Sequence, residues 1–140
     1  MFKRIWVNSL FALFALVMGA AVSMHSAGAH DNADLAAHPG PNGGMVQMSG
    51  DYHIELLLKP DAVNAWLTDH GDVPQSTEGA AARVTIFGSN GARTSLDLQP
   101  ADKNAFRASA KLDETKGVRV VVDLTMPGES PVQIRFDIPR

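Results

Sequence analysis

Four of the five histidines, His30, His38, His53 and His70, all beyond residue 29, are the residues of this sequence whose chemistry reaches beyond packing. Neutral imidazole is a common protein ligand for zinc and copper. His53 stands in Asp51-Tyr52-His53-Ile54-Glu55. In an extended strand Asp51, His53 and Glu55 fall on one face, with about 6.8 Å between alternate residues. They form an oxygen–nitrogen ligand set if their side chains converge; otherwise they are a solvated, charged strand face. His70 lies in Thr68-Asp69-His70-Gly71-Asp72, whose acids and glycine mark a turn between strands. Such a turn can carry an imidazole to a sheet edge beside carboxylates, or simply hold a turn histidine. His38 opens His38-Pro39-Gly40-Pro41-Asn42-Gly43-Gly44, a stretch able to swing toward a folded domain or to serve as loop. Met45 and Met48 add thioethers, which suit Cu(I), or pack against the mouth of the domain.

His30 depends on processing. Lys3 and Arg4 precede an apolar run over residues 10–22, and Ala27-Gly28-Ala29 is an A-x-A cleavage pattern. Residues 1–29 therefore read as a secretory signal peptide, with export to a periplasm. Cleavage after Ala29 makes His30 the first residue, where its α-amine and Nδ1 can chelate one ion together. A free α-amine titrates at about 7.7–8.0, and such nitrogen pairs favour Cu(II) among divalent ions. Asp31 offers an oxygen. The plainer reading is a solvated terminus, and cleavage after Ser23 leaves His30 internal.

Removal of 29 residues from 140 leaves 111, enough for one modest core. Loss of Lys3 and Arg4 takes the formal charge from −3 to −5. That excludes a general nucleic-acid binder, which needs a basic face. The apolar run is short for a membrane span, so no stable membrane insertion is expected after cleavage. The chain has no cysteine, which excludes disulfides, thiolate metal sites and cysteine nucleophiles. There is no G-x-S-x-G elbow, H-E-x-x-H helix or phosphate-binding loop, so the sequence points away from an enzyme.

The elements that must position these residues are strands. Residues 30–44 are rich in Pro, Gly and small polar residues and predict a flexible arm. From residue 45 to 140 apolar residues alternate: Tyr52, Ile54, Leu56, Leu58; Val63, Ala65, Leu67; Val84, Ile86; Leu96, Leu98; Val118, Val120, Val122; Val132, Ile134, Phe136. That period of two predicts half-buried strands. Pro60-Asp61, Asn90-Gly91 and Pro127-Gly128 mark turns between them. About seven or eight short strands predict an all-β, immunoglobulin-like β-sandwich. Trp66 and Phe87 point opposite to their apolar neighbours. They are an exposed recognition surface or edge packing.

The stretch Gly50-Asp51-Tyr52-His53-Ile54-Glu55-Leu56, then Trp66-Leu67-Thr68-Asp69-His70-Gly71-Asp72-Val73-Pro74, then Gly79-Ala80-Ala81-Ala82-Arg83-Val84, resembles a known family. It is similar to small periplasmic β-sandwich proteins and to the accessory domain of periplasmic adaptor proteins of heavy-metal efflux pumps of the resistance-nodulation-division class. The resemblance covers most of residues 40–140. It implies periplasmic metal handling beside metal-efflux components, with weight on His53 and His70. Relatives often open on His-Gly-Pro-His-Gly-Gly, where this chain carries Asn42 in place of one histidine. The parts of a full adaptor that bridge a pump are absent. The expectation is a non-enzymatic exported sandwich that binds copper or zinc; the alternative is a metal-independent protein-interaction module.

Overall fold

The computed structural model of the protein describes Asn32, Leu35 and residues 38–140. Among these residues eight strands follow in order: β1 (Met45–Ser49), β2 (Tyr52–Lys59), β3 (Ala62–Asp69), β4 (Ala81–Phe87), β5 (Arg93–Ala101), β6 (Ala105–Ser109), β7 (Arg119–Thr125) and β8 (Val132–Asp137). Every strand pair is antiparallel, in the spatial order β1-β2-β3-β6-β5-β4-β7-β8. The first three strands form a meander, which needs only the tight turns after Ser49 and Lys59. β5 belongs to both halves. Its residues 93–98 pair with β4 and residues 99–101 pair with β6. The sheet thereby folds over itself, and β1 and β8, the ends of the strand order, come together on the far side. The result is an all-β sandwich of antiparallel strands, as the alternation predicts, made from one continuous sheet.

Period-two burial fills the space between the layers. Ile54 and Leu56, Val63, Ala65 and Leu67, Val84 and Ile86, Val120, Val122 and Leu124, and Ile134 and Phe136 are all buried in one core. Without a disulfide, this packing must offset the entropy of ordering the chain. Phe136 is completely buried, and its truncation to Ala costs about 3–5 kcal/mol.

The second face of β2 departs from simple alternation. His53 and Glu55 are only 4% and 5% exposed, and Asn64 on β3 is 6% exposed. Two segments cover that face: residues 38–44 before β1, and the loop between β3 and β4. Residues 40–44 close into a turn through Gly43 N–H to Gly40 O at 2.9 Å and Gly40 N–H to Gly44 O at 2.8 Å. Composition reads this stretch as part of a flexible arm, yet residues 38–44 pack on β2 because a carboxylate anchors them. Glu55 Oε1 accepts the backbone N–H groups of Asn42 and Gly44, each at 2.8 Å, and Oε2 accepts the Asn42 side-chain amide at 2.8 Å. The approach is close enough to demand glycine. A Cβ on Gly40 would lie 2.4 Å from the Glu55 carboxyl carbon, and one on Gly44 would lie 2.5 Å from the Leu56 carbonyl oxygen. Among the described residues no helix is long and apolar enough to cross a membrane. The expected signal peptide, cleavage junction and His30 lie outside the described residues.

Candidate metal centre

His53 and His70 meet at one end of the β2–β3 hairpin. β2 aims His53 outward, and Thr68 of β3 and Met48 of β1 stand opposite it in register. His70 follows the last residue of β3 and folds back over the β1–β2 turn. The loop that carries it is built on Asp69. Asp69 Oδ1 accepts the N–H groups of Gly71 at 2.8 Å and Val73 at 3.0 Å, while Oδ2 accepts the Gln75 amide at 3.1 Å. Asp69 N–H donates to Val73 O at 2.9 Å. Asp72 sits inside this loop at a φ of 60°, a left-handed conformation that costs a non-glycine residue about 1–3 kcal/mol.

The two rings stand edge to face, with centroids 5.1 Å apart and planes at 80°. His53 Nε2 and His70 Nδ1 face each other at 3.3 Å. The outer nitrogens have other partners: His53 Nδ1 is 3.4 Å from Asp72 Oδ1, and His70 Nε2 is 3.0 Å from Gly50 O. A carboxylate and a peptide carbonyl accept hydrogen bonds and do not donate them. Two arrangements meet these contacts: a hydrogen on His53 Nε2 that donates to His70 Nδ1, or a hydrogen on each outer nitrogen, directed at Asp72 and at Gly50 O. In the second arrangement both inner nitrogens of neutral rings present lone pairs to each other, and something electropositive lies between them. A shared proton does this, and so does a metal ion. Two nitrogens bound to one tetrahedral ion at about 2.0–2.1 Å stand about 3.3–3.4 Å apart, which is the spacing seen. Asp72 and Gly50 O are in the position of the outer acceptors that fix the tautomer of metal-binding histidines.

The other expected site residues separate. Glu55 shares the face of His53, but both its oxygens are turned to Asn42 and Gly44, so it is the anchor of the 38–44 turn and not a ligand beside His53. His38 lines a different hollow, with Met45, Leu57, Lys116 and Arg140. Trp66 is half-buried and opposes Glu55 in register. It lines a hollow of ≈ 220 Å³ with Pro41, Val46, His53, Asp72 and Asn104. Phe87 is 37% exposed at the end of β4, under the Arg93 guanidinium 5.5 Å from its ring centre. Trp66 and Phe87 point out of opposite layers of the sandwich, so they do not form one docking patch. Among the described residues no three His, Asp or Glu side chains converge as a metal-binding group. Sequence reasoning passed over Asp72 as an orienting partner and Gly50 as an acceptor. The first was visible only as one of several turn acids, and the second is a backbone atom.

No family model matches the chain, and no curated protein matches it. A solved structure, "Br derivative BhCBM56", is similar to it with a TM-score of 0.44 and 12% identity, covering 68% of this chain and 98% of that one. The class defined here is an all-β sandwich with a histidine pair at one hairpin end.

Proposed function

We propose that the protein is a non-enzymatic metal-binding sandwich that holds a transition-metal ion, copper or zinc, between His53 and His70. The observation that supports this is the pair of facing ring nitrogens at 3.3 Å, each ring with an acceptor on its far side that can take the ring hydrogen. The two rings come from segments 17 residues apart, and a loop held by five hydrogen bonds to and from Asp69 brings them together. That is costly architecture for two ring nitrogens with no shared ligand. The leader-like first 29 residues and the resemblance to efflux accessory domains support a setting in the periplasm, beside metal-efflux components. There the protein would bind or buffer the ion.

The test is calorimetric titration of Zn(II) and Cu(II) into the protein and into His70→Ala. His70 is exposed, so its truncation leaves the core intact, which circular dichroism checks. Saturable binding that weakens at least tenfold in the variant is expected. Equal binding by both proteins would refute the site. Because each inner nitrogen must be free of hydrogen, affinity should rise with pH.

A further inference from the structure

Resting on that reading, we infer that Met48 supplies the third protein ligand of the His53–His70 site and that the ion the site selects is copper(I). Met48 is the direct cross-strand partner of His53. Directly opposed residues in an antiparallel pair put their Cβ atoms about 4.5–5.5 Å apart on one face. A thioether on three rotatable bonds covers that gap readily. The other described methionines are placed differently: Met45 packs against the core from the other face of β1, and Met126 is buried within it. The side of the ring also agrees. Asp72 occupies the Nδ1 side of His53, toward the β3–β4 loop. The Nε2 side faces His70, which sits over Gly50 in the turn leaving β1. Met48 lies on β1, two residues before that glycine.

The backbone at Met48 is also fixed. Its N–H donates to Asn32 Oδ1 at 2.7 Å, and its carbonyl accepts from Asn32 Nδ2 at 3.4 Å. The donor set then consists of two neutral imidazoles and one thioether. Of the nearby carboxylates, Glu55 is engaged with Asn42 and Gly44, Asp69 with its own loop and Asp72 with the far nitrogen of His53, while Asp51 stands exposed in the β1–β2 turn. A neutral, soft, three-donor set suits a monovalent soft ion. A divalent zinc ion prefers a fourth ligand and gains from anionic donors, which this corner does not direct at it.

The test compares Met48→Leu, His70→Ala and the unaltered chain. Copper(I) affinity is read anaerobically by competition with bicinchoninate, and zinc affinity by calorimetry. Met48→Leu should lose at least tenfold in Cu(I) affinity and less than about twofold in Zn(II) affinity. His70→Ala should weaken both. If Met48→Leu keeps its Cu(I) affinity while His70→Ala loses it, Met48 is not a ligand and the histidine site stands. Equal losses for both ions in Met48→Leu overturn the selectivity for copper(I). No loss in His70→Ala overturns the histidine site and this inference with it. X-ray absorption on selenomethionine-labelled protein should show a copper–selenium path that disappears in Met48→Leu; its absence from the labelled parent refutes the ligand.

Discussion

Asp72 concentrates two opposing demands in one side chain. Its backbone sits in a conformation that glycine adopts freely, and its carboxylate holds the ring of His53 from the far side. Asp72→Gly separates them. It relieves the left-handed strain, so the melting temperature should hold or rise. It also frees His53 to take the other tautomer, so zinc affinity should fall about tenfold, the lower range for loss of an orienting partner. Thermal melting and calorimetry on the same variant check both halves, and unchanged affinity would remove Asp72 from the site. The sequence made His53 and His70 legible as imidazoles in strand and turn. It could not show that 17 residues of chain bring their nitrogens together, because that follows from the register of β2 against β3. Glu55 was visible as a polar residue beside His53. Its partners were not, since they are backbone amides of a glycine-rich stretch whose composition reads as mobile.

At the level of elements, the 38–44 turn and β2 act as one unit through the Glu55 carboxylate. Glu55→Ala strips three acceptor contacts from Asn42 and Gly44. Leaving buried N–H groups unpaired costs about 2–4 kcal/mol in all. Chemical denaturation should show that loss, and hydrogen exchange should show it first at Asn42 and Gly44. Gly40→Ala should fail in the same place, because its methyl group would collide with the same carboxylate. The strand pattern itself was readable from period-two burial and from turn residues at 60–61, 90–91 and 127–128. What alternation missed is that β2 is covered on both faces. Period two reports which residues face inward, and it is silent about what other segments lie over the outward ones. The β4–β5 hairpin has its own clasp. Glu114 accepts the Ser89 hydroxyl and the Ser89 N–H, and these bonds hold its carboxyl below the ordinary 4.5. A depressed carboxyl stabilises the fold above that ordinary value and loses its contribution as pH falls through the lowered one. Protection of the Ser89 amide, corrected for intrinsic exchange, should therefore fall below about pH 4.5, the ordinary carboxyl value, and the acid step should vanish in Glu114→Gln.

Across the whole molecule, a cysteine-free chain closes one core by passing β5 from one layer to the other. The strand order then has two ends, β1 and β8, that approach each other without a ladder of hydrogen bonds between them. A sheet edge of this kind exposes N–H and C=O groups that another strand can pair with. Asn32 meets part of that need. Its side-chain amide receives the N–H of Met48 and reaches back to its carbonyl, as a neighbouring peptide group would. A shortened chain beginning at residue 38 lacks this stand-in. It should keep the sandwich but self-associate with rising concentration, which sedimentation velocity would detect, and a monomer at every concentration would count against the idea. The same amide therefore has a second consequence. By imitating one rung of a ladder it keeps β1 from being recruited into another chain's sheet.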